Sequence, residues 1–315
     1  LSEKLLLFFS AAEVSLTVRQ VEAMKFGIHY IYWRNDLKCR SYTPYVERAK
    51  KNGFDVLEIG DYLFFDLTGA QIEELAAAAR EYDVELALGL DPPQDAALSD
   101  DDPAVREKGI RFYSDIFPKL NKLGIKGIGG NMLNAPFRPP FSDHHQREWD
   151  NAVLALREIC RRAADYGLQV NCEIVNRYEG HIANTAKDAR KLLDEVGLSN
   201  AKMTLDSFHM NVEESSFANA IFDAGDRLGH FHLEENHRGL LGTGHLPLYE
   251  IRDALRKINY QGILTMESLV RAGGELGDCA RIWRDLTGWA DEETLDRNAK
   301  ASVESMRYLF SQGTL

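Results

Sequence analysis

The sequence predicts an α/β fold, a single (β/α)8 barrel, from three observations. Apolar, β-rich runs alternate with amphipathic helical stretches from end to end. The count reaches eight strands, each followed by a helix. No linker or shift in composition divides the chain. A barrel unit takes roughly 30 residues, so a 315-residue chain holds eight units around one core.

The elements follow in order. Residues 26–33 (FGIHYIYW) are aromatic and β-branched and read as the first strand. Residues 44–52 read as a helix ended by Gly53. Residues 54–59 (FDVLEI) form the second strand, 71–82 (QIEELAAAAREY) an amphipathic helix, and 84–90 (VELALGL) a third strand stopped by Asp91-Pro92-Pro93. A long helical stretch, 103–123, is interrupted by Pro118 and leads to a glycine-rich fourth strand at 125–130. Helix 147–166 precedes strand five, 168–175 (LQVNCEIV). Helix 185–196, strand 201–205 (AKMTL), helix 216–224 and strand 228–233 (LGHFHL) come next. Helix 248–258, strand 262–266 (GILTM) and a helical stretch within 276–310 complete the barrel. The long loops 131–145 and 236–246 should build its C-terminal mouth, the face on which barrel function sits.

Four residues with metal-binding side chains stand at the ends of the last four strands: Glu173, Asp206, His232 and Glu267. Their spacings of 33, 26 and 35 residues are each about one barrel unit, so they should surround one point at the mouth. Three oxygen donors and one nitrogen suit Mn²⁺, Co²⁺ or Mg²⁺ better than a structural zinc. Strand alternation puts His230 on the same face as His232, deeper in the barrel, as a packed or hydrogen-bonded neighbour. It sends Cys172 to the face opposite Glu173. Glu58 ends strand two, far round the barrel from strands five to eight, and reads as structural. Glu213 and Glu214 should open a helix and favour its N-terminal dipole. Trp33, Phe137 and Phe141 read equally as walls of the mouth or as core.

The net charge of −12 repels a phosphate backbone at long range, which argues against a nucleic-acid partner. Cys39, Cys160, Cys172 and Cys279 form no C-x-x-C pair and are expected as thiols in a reducing cytoplasm. Residues 1–23 precede Met24 and read as an extension outside the barrel, which then occupies 24–315. The apolar run at 5–9 is too short for a signal peptide or a membrane span.

The strings EIVNR-Y-E (173–179), LDSFHMN-V-EE (205–214), GHFHL (229–233) and Met266-Glu267 resemble the ketose 3-epimerases, sugar isomerase/epimerase barrels that include the D-tagatose and D-allulose (D-psicose) 3-epimerases. The resemblance runs from Met24 to about Phe310. It implies the same four metal ligands, Glu173, Asp206, His232 and Glu267, around one divalent ion per subunit, with Mn²⁺ favoured. It further implies that Glu179, His209 and Arg238 bind the O1–O3 end of a ketose. Two positions depart from the family's usual pattern. His237 stands where many relatives have Asn, and His29 stands where many have an aromatic residue. His29 is expected beside the sugar. The resemblance also implies a homodimer or homotetramer.

The implied reaction inverts C3 of a ketose through an enediolate, with Glu173 and Glu267 as the two bases. Three other enzyme readings use the same barrel. An aldose–ketose isomerase would work at C1–C2, and a polyol dehydratase would expel water. A multi-zinc DNA repair nuclease would need more histidines and a basic surface. A sugar-binding module without turnover is the non-enzymatic alternative.

Overall fold

The computed structural model describes residues 24–36, 39–134 and 145–312. The 1–23 extension lies outside the described residues, as do Phe137 and Phe141. Eight parallel strands close in sequence order: β1 (Lys25–His29), β2 (Val56–Ile59), β3 (Glu85–Gly89), β4 (Gly127–Gly130), β5 (Gln169–Glu173), β6 (Ala201–Asp206), β7 (Leu228–His232) and β8 (Ile263–Met266). β8 pairs back onto β1, with Phe26 opposite Leu264 and Ile28 opposite Met266. Closure leaves no unpaired strand edge.

Helices pack around this cylinder: α1 (Thr43–Lys51), the single turn α2 (Leu63–Asp66), α3 (Gly69–Glu81), α4 (Pro103–Ser114), α5 (Phe117–Leu123), α6 (His145–Ala164), α7 (Ala186–Val196), α8 (Ser207–Glu213), α9 (Phe217–Ala224), α10 (Leu248–Lys257), α11 (Gly274–Cys279) and α12 (Glu292–Ser311). Local chemistry sets their ends. Thr68 and Gln71 form a reciprocal capping box at the start of α3, and Gly124 and Gly197 take the left-handed conformation after α5 and α7. The apolar core lies between sheet and helices. Phe310 of α12, for example, packs edge-on against Phe26 of β1 at 6.0 Å between ring centroids.

Three expectations are corrected, and the break in the 103–123 stretch is located. The first strand stops at His29, and Tyr30–Trp33 form a 3-10 turn. Its aromatic residues have partners that a strand would deny them: Tyr32 Oη donates to Leu295 O, and Trp33 Nε1 donates to Asp296 Oδ1 at the start of α12. Trp33 is therefore core, not a wall of the mouth. The 103–123 stretch breaks ahead of Pro118, between Ser114 and Phe117, because Pro118 is accommodated in the first turn of α5. Glu213 ends α8 rather than opening a helix. Its neighbour Glu214 accepts from Ala186 N at 2.7 Å and so stabilises the N-terminus of another helix, α7. Finally, the terminal helical stretch divides into α11 and α12.

The barrel interior is polar and partly hollow. Buried Glu58, Asn171, Thr204, His230 and Thr265 occupy its lower half, with glycines on β1, β3 and β4 between them. A cavity of about 100 Å³ lies beneath His232, lined in part by Glu58, Asn171, Thr204 and His230. One irregularity positions the upper half. Between β6 and β7, Met203 faces Leu228 but Thr204 faces His230, so Gly229 is an extra residue on β7. This bulge brings His232 opposite Asp206, whereas an unbroken register would have placed Phe231 there.

Candidate metal centre

Glu173 closes β5, Asp206 closes β6, His232 closes β7 and Glu267 follows the last residue of β8. One donor atom from each can be chosen so that all four lie within 4.8 Å of one another. His232 Nδ1 is the hub, 3.0 Å from Glu267 Oε2, 3.4 Å from Glu173 Oε1 and 3.7 Å from Asp206 Oδ2. The residues selected by barrel-unit spacing are thus brought together. Each is buried or nearly so.

These donors fit a divalent cation on two grounds. His232 Nδ1 and Asp206 Oδ2 are fully buried and make no hydrogen bond, a costly arrangement unless another ligand is shared. Three carboxylates converge there, with His232 and Arg238 among the groups that offset them. Burial, followed by repulsion from Glu267 and Asp206, pushes the Glu173 carboxyl up to about 8 despite the nearby His232. The same neighbouring carboxylates, Glu267 first, hold the His232 imidazole well above its ordinary range against the cost of burial. A bound dication would relieve both perturbations.

The expected substrate-binding residues rim this centre. His209, on α8, has Nε2 3.7 Å from Glu173 Oε1 and Nδ1 3.9 Å from Glu179 Oε1. Its Nδ1 accepts from the backbone N–H of Asn176 at 3.2 Å, and the Asn176 side-chain nitrogen lies 2.8 Å away. A backbone N–H can only donate, so His209 Nδ1 is an acceptor and Nε2 carries the proton. Burial lowers the pKa of His209, which keeps the ring neutral. Asn176 also donates to Glu179 Oε1 at 3.1 Å. Glu179 therefore faces the centre, while Arg177 turns outward to a two-pronged pair with Glu213.

Arg238 reaches in from the loop after β7. Its guanidinium stacks 4.1 Å from the Phe208 ring centroid, pairs with Glu234, and lies 3.6 Å from Asp206 and Glu267 and 3.8 Å from Glu179. Its backbone is left-handed (φ 62°), and Arg238 O accepts from Leu269 N at 3.0 Å, so the turn is held from both sides. His29 sits at the end of β1 with Nδ1 accepting from Ile31 N at 3.3 Å and Nε2 4.0 Å from Glu267 Oε1. Its proton is likewise on Nε2, facing the centre, and burial lowers its pKa.

Three contributors escape sequence reasoning. Asn176 is one, and only its place inside EIVNR hinted at it. Glu234 is another, fully buried and accepting a hydrogen bond from Arg238, with its own pKa raised well above the carboxylate range by burial. The third is Glu58, read from its position as structural and distant. Its carboxylate crosses the barrel to His230 Nε2 at 2.8 Å and His232 Nε2 at 3.3 Å. The barrel is narrow enough that distance along the sheet does not measure distance across it. His230 is the hydrogen-bonded inner-layer histidine expected of it, also 3.1 Å from Thr265 Oγ1.

A match to the family described as xylose isomerase-like TIM barrel spans residues 46–307. The chain belongs to that family. It is 39% identical over 294 residues to a D-psicose 3-epimerase of Enterocloster bolteae, covering 92% of this chain and 97% of that protein. It is 32% identical over 276 residues to an L-ribulose 3-epimerase of a Methylomonas species, covering 86% and 94%. Among solved structures, the D-psicose 3-epimerase of Clostridium cellulolyticum H10 with D-tagatose superposes with a TM-score of 0.88 at 36% identity, covering 91% of this chain and 99% of that one. These relatives are epimerases, and the family member described here is an enzyme of the same isomerase class.

Proposed function

We propose that this protein is a metal-dependent ketose 3-epimerase acting on free sugars of the D-fructose/D-allulose, D-tagatose/D-sorbose or L-ribulose/L-xylulose type. The observation that carries this reading is the pair Glu173 and Glu267, on separate strands, flanking one set of cation donors. The curated relatives matched along nine-tenths of the chain support it. Glu173, Asp206, His232 and Glu267 would hold one divalent ion, Mn²⁺ by the oxygen-rich donor set and by family resemblance, with Co²⁺ or Mg²⁺ as alternatives. When bound, the ion supplies Lewis-acid stabilisation of negative charge on the sugar oxygens.

The chain's own groups supply the rest. One glutamate removes the C3 proton, and the C–H electron pair moves into an enediolate spanning C2 and C3. The other glutamate, protonated, returns a proton to C3 from the opposite face, and the roles exchange in the reverse direction. Asp206 and His232 serve as ligands. His209 Nε2–H donates toward the O1–O2 end, where Glu179 accepts a hydroxyl. Arg238 favours the oxygen that becomes negative. His29 offers its Nε2–H from β1 to the sugar beside Glu267.

Chromatography of D-fructose, D-tagatose and L-ribulose, incubated with chelator-treated protein with and without Mn²⁺, tests this reading. New C3-epimeric ketoses only with metal are expected. Aldoses would convert the reading to isomerisation, and ultraviolet-absorbing products from cyclic polyols would convert it to dehydration. Glu173→Gln and Glu267→Gln should each abolish turnover. Near-normal epimerisation by metal-loaded Glu267→Gln would end the two-base scheme. We further read the enzyme as a cytoplasmic homodimer or homotetramer. Free Cys39, Cys160, Cys172 and Cys279 support a reducing compartment, and no described helix is long and apolar enough to cross a membrane. Exposed Trp283 and Trp289 offer apolar area for a subunit contact, which light scattering would check.

A further inference from the structure

We infer that Glu58 is a positioning residue of the metal centre: from β2 it holds the imidazole of His232, on the far side of the barrel, with Nδ1 unprotonated and aimed at the ion. This rests on the metal reading above. The geometry begins with His232, whose two nitrogens have separate surroundings. Nδ1 faces Glu173, Asp206 and Glu267 and has no hydrogen bond. Nε2 faces Glu58 Oε1 at 3.3 Å. A carboxylate can only accept, so Nε2 must donate, and once a cation displaces the other ring proton Nδ1 turns its lone pair to that cation. A ligating histidine needs such a partner on its other nitrogen, which fixes the tautomer and the plane of the ring.

Glu58 is itself fixed. Its second oxygen accepts from His230 Nε2 at 2.8 Å, and His230 Nε2 also lies 3.1 Å from Thr265 Oγ1 of β8. Neighbouring glycines leave room around this cluster. A Cβ on Gly89 of β3 would stand 3.3 Å from Glu58 Oε1, and a Cβ on Gly27 of β1 would stand 2.8 Å from Thr265 Oγ1. Glu58, His230 and His232 also lie close enough together to suggest a second cation site. Their facing atoms satisfy one another, however, and none of those atoms is orphaned, unlike Nδ1 and Asp206 Oδ2 above. The lower cluster is a hydrogen-bonded support for the upper one.

The test titrates chelator-treated parent, Glu58→Gln and Glu58→Ala with Mn²⁺ alone, read by calorimetry and by the electron paramagnetic resonance of free Mn²⁺. Loss of an outer partner of this kind weakens metal binding by roughly 10- to 100-fold. We expect about tenfold for Glu58→Gln, which keeps an acceptor but no charge, and more for Glu58→Ala. At saturating Mn²⁺ Glu58→Gln should recover most of its kcat, with KM for the ketose unchanged. Selective ¹⁵N labelling of Mg²⁺-loaded protein should show parent His232 protonated on Nε2 alone and a mixture of tautomers in Glu58→Ala. Should Glu58→Ala fail to fold, the isosteric Gln variant carries the test. A folded Glu58→Gln with the parent's Mn²⁺ affinity would overturn the inference, as would a changed KM at unchanged metal affinity. The titration uses no sugar, so its result stands even if no ketose is turned over. Failure of the parent to bind Mn²⁺ would remove the metal reading and this inference together.

Discussion

Arg238 shows how much a single side chain carries in this site. It stacks on Phe208, pairs with Glu234 and points toward Asp206, Glu179 and Glu267, from a left-handed turn. Lysine would keep the charge but lose the planar face and the fork of donors. Arg238→Lys should therefore lower kcat/KM tenfold or more, about 1.4 kcal/mol of transition-state stabilisation, with little change in melting temperature. A value of kcat/KM within twofold of the parent would show that the stacked geometry is dispensable. Glu173 supports a prediction about pH. In the metal-free protein its pKa is raised to about 8, and that of His232 is also raised, so the folded state keeps protons that the unfolded chain has released. Stability from these groups is present at low pH and lost as pH rises through their folded values. The lowered pKa values of His29 and His209 act in the opposite sense, but only below about 6.5, where an unfolded histidine takes up its proton. Between pH 7 and 8.5 the melting temperature of metal-free protein should fall, while Mn²⁺ affinity should rise because the ion displaces those protons. A flat affinity profile across that interval would contradict the assignment.

Strands and helices set the register of these groups, and glycines decide where strands can approach. A Cβ on Gly60, just past β2, would run into the backbone carbonyl of Gly89, which cannot rotate away. A Cβ on Gly69, at the start of α3, would meet nothing within 4 Å. Gly60→Ala should cost about 1–3 kcal/mol in denaturant unfolding and, by displacing β2 and Glu58, weaken Mn²⁺ binding as well. Gly69→Ala should be neutral or stabilising by up to about 1 kcal/mol. Equal effects at the two sites would refute the steric argument. The β7 bulge works at the same scale. The extra residue Gly229 turns His232 toward Asp206, and a Cβ there would collide with the Asn171 side chain.

At the scale of the molecule, the candidate site draws one side chain from each of four barrel strands or their ends, and Glu58 reaches it from β2, so a metal bound there would couple the halves of the cylinder. An ion bound only by the folded state at a hundredfold excess over Kd adds about 2.7 kcal/mol. Chelation should lower the melting temperature by several degrees, and Mn²⁺ should restore it. An unchanged transition would mean that the donors do not hold a metal in solution. The chain carries a net charge of −12, which suits a small neutral sugar as partner and opposes a polyanion.

The sequence by itself determined the barrel, its strand count and the four residues gathered at the barrel mouth. Strand ends recur at a fixed spacing, and side-chain alternation then selects which residue faces inward. Its long motif strings carried the kinship, and with it Glu179, His209 and Arg238. What only the tertiary structure decided were contacts between residues distant along the chain. Glu58 and His232 are 174 positions apart, and no local pattern records that a β2 carboxylate spans the cylinder. The left-handed turn at Arg238, the Glu234 pair and the one-residue bulge at Gly229 belong to the same class. So does the end of β1, where aromatic residues suited to a strand instead turn to meet α12. Periodicity describes which face a residue occupies, whereas closure of the barrel decides what stands opposite it.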